Sequence, residues 1–334
     1  MQEVCARLSV KAVGLLSSGL DSPLAIRLVL DQGVEVTGVN LVLPFASEKE
    51  DYASRTAARL GIRLVKVEAG QDYIELIRSP KHGYGRGLNP CVDCRIYMLR
   101  QAKQVADHIG AEFVITGDVL GQRPKSQNEA ALRLEEREAG LLGRILRPLS
   151  AGLLPQTLPE INGWIDRSRL LHIKGKRRKA QLELARRYGI EDYHFPSSGC
   201  LLTRTGYTRK LKELFDHKQK VTAEDIELLR VGRHFHCPGS WIVIGRNEAE
   251  NHLLLEIKGP GDYVFAVPGF GSPITVLQGD KGAAVIKTAA ELTARYSDAD
   301  TREILVEYEV GGVRRGLVVE PDGRHPRPLG DEEE

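Results

Sequence analysis

Ala12-Val13-Gly14-Leu15-Leu16-Ser17-Ser18-Gly19-Leu20-Asp21-Ser22-Pro23-Leu24-Ala25-Ile26-Arg27 decides the fold. Residues 12–16 are an apolar run of the length of a buried strand. Ser17 to Ser22 are small and polar, and Pro23 sits where a proline enters the first turn of a helix. Leu24, Ile26, Leu28, Val29 and Leu30 supply that helix with apolar positions, and Gly33 ends it. A strand, a small-residue loop and a helix form a phosphate-binding arrangement. The helix N-terminus aims N–H groups and the positive dipole end at an anion, and the hydroxyls add donors. The loop is neither G-x-G-x-x-G nor the lysine-bearing Walker loop.

Outward from this stretch, 34–45 reads as a parallel strand, 50–60 as a helix stopped by Gly61, and 63–67 as a short strand. The order β-α-β-α-β predicts an α/β, doubly wound parallel sheet, with ligands beyond the strand C-termini. A helix at 96–109 and a strand at 113–116 follow. That strand opens into Gly117-Asp118-Val119-Leu120-Gly121-Gln122, at the same expected ligand-binding edge.

Ahead of the 96–109 helix stands Asn89-Pro90-Cys91-Val92-Asp93-Cys94-Arg95. A C-x-x-C entering a helix has three readings: a redox pair, half of a metal site, or thiols that handle sulfur. A helix N-terminus lowers a thiol pKa, so at least one thiolate is expected here. No second C-x-x-C exists, which disfavours a four-cysteine zinc site. The obvious third thiol is Cys200, in Pro196-Ser197-Ser198-Gly199-Cys200-Leu201-Leu202.

The 334 residues are 42% hydrophobic and 28% charged, those of an ordinary globular protein. No apolar run approaches the roughly 18 residues of a membrane span, and no signal-peptide pattern opens the chain. Five cysteines, an odd number, predict reduced thiols and a cytoplasmic location. Net charge is +2, but 167–220 holds fifteen Lys/Arg against five Asp/Glu, leaving 32 against 40 elsewhere. This asymmetry points to a polyanionic partner, and Lys176, Arg177, Arg178 and Lys179 are its densest run. From Val231 the texture changes to short runs expected as strands at 241–245, 253–257, 263–267, 274–277, 304–310 and 316–319, with a helix at 283–296. The expected domains are therefore 1–165, a basic segment 166–225 carrying Cys200, and a smaller α+β domain at 226–330.

Ser17-Ser18-Gly19-Leu20-Asp21-Ser22 resembles the PP-loop of the ATP pyrophosphatase family, written S-G-G-x-D-S. Ser18 replaces the first glycine, which matters if that position takes a positive φ. Asn-Pro-Cys-x-x-Cys, the strand ending Ile115-Thr116-Gly117 and the later Gly-Cys-Leu-Leu resemble the MnmA family of tRNA 2-thiouridine synthases and the iron–sulfur-dependent tRNA thiolases. Ile244 to Asn251, Gly269 to Pro273 and Ala289 to Ser297 resemble the RNA-binding module of the NFACT proteins.

The resemblance implies ATP-dependent tRNA thiolation. It places ATP at Leu16, Ser17, Ser18, Gly19, Leu20, Asp21, Ser22, Asn40, Leu41, Gly117 and Gln122, with Mg²⁺ on Asp21. It makes Cys94 and Cys200 the sulfur-handling pair, and with Cys91 the ligands of a 4Fe–4S cluster in the iron–sulfur branch. Asp118, where the 2-thiouridine enzymes have histidine, joins the catalytic candidates. The basic run would touch tRNA, and sulfide or a persulfide-carrying protein would supply sulfur. Two rivals use the same loop. An amide-forming ligase needs no cysteines, and a non-catalytic RNA-binding factor releases no pyrophosphate.

Overall fold

The computed structural model describes residues 10–46, 51–191, 193, 200–321 and 327–330. Cys5, the 196–199 approach to Cys200 and the 331–334 tail lie outside them. The chain divides into two units, Met1–Cys200 and Leu201–Glu334, so the basic 166–225 segment contributes to both.

In the first unit a five-stranded parallel sheet has the order β3-β2-β1-β4-β5: β1 (Lys11–Leu15), β2 (Glu35–Val42), β3 (Arg63–Glu68), β4 (Phe113–Ile115) and β5 (Ile145–Leu146). The doubly wound α/β expectation holds. Its physical basis is alternation along the strands. Ala12 and Leu16 face one core with Phe113 and Ile115, while Val13, Leu15 and Val114 face the other.

On the first face lie α1 (Asp21–Leu30), α2 (Tyr52–Leu60) and, reached after α3 to α6, α7 (Lys179–Tyr188). Gly61 ends α2 at φ 68°, a left-handed cap that glycine adopts without strain. Between them come α3 (Gln71–Arg78), α4 (Cys91–Ile109), α5 (Glu129–Glu138) and the short α6 (Leu158–Ile161). Leu99, Ala102 and Ala106 of α4 fill the second core. That helix begins at Cys91, five residues before the sequence pattern suggested. Cys94 N already donates to Pro90 O at 2.9 Å, which places both cysteines in the first turn. The apolar periodicity starts only at Ile96, because the first turn carries two thiols and the charged Asp93 and Arg95.

The second unit is α+β. Helices α8 (Thr205–His217) and α9 (Ala223–Leu228) precede a six-stranded antiparallel sheet of order β11-β10-β8-β9-β7-β6. Its strands are β6 (Arg233–Cys237), β7 (Ser240–Ile244), β8 (Tyr263–Ala266), β9 (Thr275–Gly279), β10 (Ile304–Val310) and β11 (Val313–Val319). Helix α11 (Ala283–Arg295) buries Ala289, Ala290 and Leu292 with Phe235, Ile242 and Phe265. The strand expected at 253–257 is instead the end of α10 (Glu248–Ile257). Asn247 caps it by accepting from Glu250 N at 3.0 Å, and acidic residues fill its first turn. These start signals outweigh the β-like look of the Leu253-Leu254-Leu255 run. Among the described residues no helix is long and apolar enough to cross a membrane.

The strand order reverses between β1 and β4, the switch point where open α/β sheets bind ligands. There Gly117 lies so close to the start of α1 that an added Cβ would stand 2.6 Å from Asp21 C and Ser22 N. Backbone cannot swing aside as a long side chain does. Gly117→Ala is therefore expected to destabilise the protein by about 1–3 kcal/mol, the usual range for overpacking. Urea unfolding checks it, and an unchanged midpoint would mean the two loops separate freely.

Candidate active site

The loop after β1 is organised by its own hydroxyls. Ser22 Oγ accepts from Ser17 N at 3.0 Å and lies 3.1 Å from Ser17 Oγ, which in turn accepts from Gly19 N at 3.3 Å. Leu20 is buried and anchors the turn, and no side chain caps α1, so its first N–H groups are left to an incoming anion. Among the described residues no non-glycine has a positive φ, and Gly19 is not left-handed either. Ser18 thus occupies the first-glycine position without strain. Asn40 Nδ2 donates to Leu16 O at 2.9 Å, pinning the loop to β2, and Leu41 packs partly buried on the second core.

Asp21 is the focus of this loop. Its Oδ2 accepts from Gln122 Nε2 at 3.1 Å and lies 3.8 Å from Arg178 Nη2. Its Oδ1 is buried with no hydrogen-bond partner. Burial raises the Asp21 pKa, against the pull of Arg178, Gln122, Gln181 and Arg123. An orphaned carboxylate oxygen beside an anion-binding helix end suits a hard cation such as Mg²⁺. Gln181, fully buried on α7, escaped the sequence reading, because only the folded chain brings it to Asp21.

Cys91 and Cys94 sit on the first turn of α4. Cys91 Sγ donates to Asn89 Oδ1 at 3.1 Å, and Cys94 Sγ lies 3.1 Å from the Tyr73 hydroxyl. Cys94 feels the charge of both Cys200 and Cys91, and Tyr73 that of Cys200, so all three thiols lie within electrostatic reach of the Cys94–Tyr73 pair. The expected low-pKa thiolate is not found. Burial pushes Cys94 up to about 11 and raises Cys91 as well, outweighing the helix N-terminus and nearby cations. The loop after β4 joins the two halves of the site, since Gln122 donates to Asp21 at 3.1 Å and Gln127 donates to Asp118 at 3.0 Å.

Asp118 is 3% exposed. It pairs with Arg95, accepts from Thr116 Oγ1 at 2.8 Å and Gln127 Nε2 at 3.0 Å, and lies 3.8 Å from Arg147 Nε. Burial alone would raise its carboxyl, but Arg95, Arg147, Gln127 and Thr116 hold it below the usual range. Arg147 also pairs with Glu136, and Glu135 Oε2 stands 3.9 Å from Arg95 Nε. His82 braces the same helix start. Its backbone N and Nδ1 meet the Asp93 carboxylate at 3.0 and 2.9 Å. These braces carry no sequence signature beyond Arg95 adjoining Cys94.

The basic run divides in space. Lys176, Arg177 and Lys179 are exposed, whereas Arg178 turns in to Asp21. Arg177, Lys179, Lys174 and Arg187 line an open groove of about 720 Å³ beside α7.

Residues 8–152 match the family model described as thiamine biosynthesis protein (ThiI). Over these residues the chain is similar to that family. Residues 232–321 match the model described as NFACT protein RNA binding domain. A probable tRNA sulfurtransferase of Thermococcus kodakarensis is 31% identical over 121 residues, 34% of this chain and 30% of that protein. The tRNA-specific 2-thiouridylase MnmA of a Roseiflexus species is 27% identical over 252 residues, 68% of each. The crystal structure of a 4-thiouridine synthetase–RNA complex with bound ATP superposes with a TM-score of 0.39 at 23% identity, over 66% of this chain and 52% of that one. The ThiI-like match holds the PP-loop, Cys91 and Cys94 and stops before Cys200. The chain spans about 30% of the length of the Thermococcus relative.

Glu135 gives this site a pH signature. It is fully buried, and burial, opposed by Arg95, pushes its pKa from 4.5 up to about 8. Between those values the folded protein keeps a proton that the unfolded chain releases. Stability therefore falls as pH rises through this window, by up to about 1.4 kcal/mol per unit. Glu135→Gln is expected to flatten that slope and leave the protein at least as stable at pH 8. Urea unfolding from pH 5 to 8 reads it, and identical slopes in both proteins would contradict the assignment.

Proposed function

We propose that this chain is an ATP-dependent tRNA sulfurtransferase. A pyrimidine carbonyl oxygen attacks the α-phosphate of ATP and pyrophosphate leaves. A sulfur nucleophile then attacks the activated ring carbon, and AMP departs with the oxygen, giving a thiouridine-type base. One observation carries this reading: the β4 loop reaches Asp21 of the PP-loop through Gln122 and, through Gln127 on Asp118, the Arg95 turn that bears Cys94, so adenylation and sulfur delivery share one edge. An amide-forming ligase has no use for those thiols. The sequence similarity to tRNA sulfurtransferases and to MnmA supports the same reading.

The PP-loop N–H groups and Ser17 and Ser22 hydroxyls bind the phosphates, and Arg178 and Gln122 steady Asp21. Asp21 Oδ1 would hold Mg²⁺, which supplies neutralising charge on the phosphates. Gly117 brings the β4 loop against this site, and Asn40 and Leu41 end β2 on the adenine side. Asp118 acts as a positioning residue, setting Arg95 and so the turn that bears Cys94. The three gathered thiols fit a 4Fe–4S cluster held by Cys91, Cys94 and Cys200, which would leave one iron free to bind sulfide. Sulfide or a persulfide-carrying protein is the donor, in a cytoplasm that keeps the thiols reduced. We assign RNA contact to the basic segment and to the NFACT-like region.

The decisive experiment separates the two halves of the site. Protein purified without oxygen is expected to carry about four iron atoms per chain. Serine at 91, 94 or 200 should remove iron and tRNA thiolation together while pyrophosphate release survives. Asp21→Ala should do the reverse, keeping iron and losing pyrophosphate release. Iron-free protein that thiolates tRNA without Cys91 would replace the cluster with a Cys94/Cys200 persulfide relay. Thiolation that survives loss of all three thiols would overturn the reading.

The groove makes a separate prediction. Glutamine at Lys176, Arg177 and Lys179 should reduce the slope of log affinity against log salt by roughly 0.7–0.9 per lost phosphate contact. Arg178→Gln should instead weaken ATP binding and leave the tRNA salt slope alone. Filter binding across a salt series distinguishes them.

A further inference from the structure

We propose that Glu213, His217 and His236 form a zinc-class metal site within the second unit. Glu213 and His217 are one turn apart on α8 and share a helix face, and His236 lies on β6, the edge strand of the sheet. Glu213 Oε1 is 3.1 Å from His217 Nε2 and 3.3 Å from His236 Nδ1. One ligand atom from each residue lies within 4.8 Å of the other two. Ligands about 2.05 Å from a tetrahedral zinc stand about 3.3 Å apart, so two edges of that tetrahedron are already in place.

The rings of His217 and His236 stack with centroids 3.9 Å apart and planes at 25°. Two protonated imidazoles would repel each other in that arrangement, whereas neutral imidazole is the form that binds metals. The Trp241 ring, 5.8 Å from His236 on the paired strand β7, steadies it. Cys237 alternates to the other face of β6 and packs on the core, so the donor set is two nitrogens and one oxygen. Such donors suit Zn²⁺, with Ni²⁺ and Cu²⁺ competing, and leave a fourth position to water. On binding, His217 Nε2 and His236 Nδ1 give lone pairs, and the protons they shared with Glu213 move to the other ring nitrogens. Because α8 precedes the NFACT-like region and β6 opens it, the ion would stitch that helix to the first strand.

The test uses untagged full-length protein, with and without serine at Cys91, Cys94 and Cys200 to remove the thiol site. Zn²⁺ is titrated against a chromophoric chelator, and Co²⁺ is followed by visible spectroscopy. We expect one ion per chain in the thiol-free protein, with cobalt bands of nitrogen and oxygen ligation and no thiolate charge-transfer band. Removing an outer-shell partner of a metal costs about 10–100-fold in affinity, so loss of a ligand in His236→Gln or His217→Gln should exceed that. Glu213→Gln is the second variant, and the far-UV spectrum confirms that each protein is folded. Equal Zn²⁺ affinity in the folded His236→Gln and parent proteins, or no binding by the parent, would overturn the proposal and leave a carboxylate hydrogen-bonded to two imidazoles.

Discussion

The Asp118 carboxylate, held between Arg95 and Arg147, is the constraint on which the first unit depends. It joins the loop after β4 to the thiol-bearing turn of α4 and to the chain leaving β5. Taking these charges out of water costs several kcal/mol per ion, so the pairs add little net stability. Their value is in geometry. Removing one partner of such a buried set costs roughly 3–5 kcal/mol, which discourages any register in which Arg95 points elsewhere. With Arg95 fixed, Cys94 one residue earlier is fixed too, and Tyr73 meets its sulfur from the other side.

A second constraint acts at the backbone. Gly117 and the start of α1 approach so closely that the β4 loop and the PP-loop form a single body. Gln122 then reaches Asp21 from that loop, while Gln127 from its far end holds Asp118. The segment between them is short and tied at both ends. It carries Arg123, whose charge acts on the PP-loop and on Cys91, and its position follows from those ties.

Much of this architecture was legible in the sequence because it rests on local pattern. The apolar run at 12–16, proline in the first turn of α1 and glycine after α2 fix elements without long-range information. Reading failed where a local pattern had two interpretations. The leucine run of α10 looks like a strand until the Asn247 cap is weighed, and α4 hides its first turn because thiols and charged residues there interrupt the apolar pattern. Arg178 could not be separated from its basic neighbours, since composition does not say which arginine turns inward. The thiols were found by spacing, yet their protonation was misjudged. A helix end favours the thiolate, but burial depends on Tyr73 and the surrounding chain, which arrive from elsewhere.

Helix α4 runs nineteen residues, and its later turns are wedged into the second core. At 1.5 Å per residue it is a rod nearly 30 Å long, clamped along most of its length, with two sulfurs in its braced first turn. Small domains built around a metal collapse when the ion is removed, because the ion does the folding. Here the scaffold is already assembled by hydrocarbon packing and buried charge. A group bound by the thiols, as proposed, would arrive at a finished socket rather than build one.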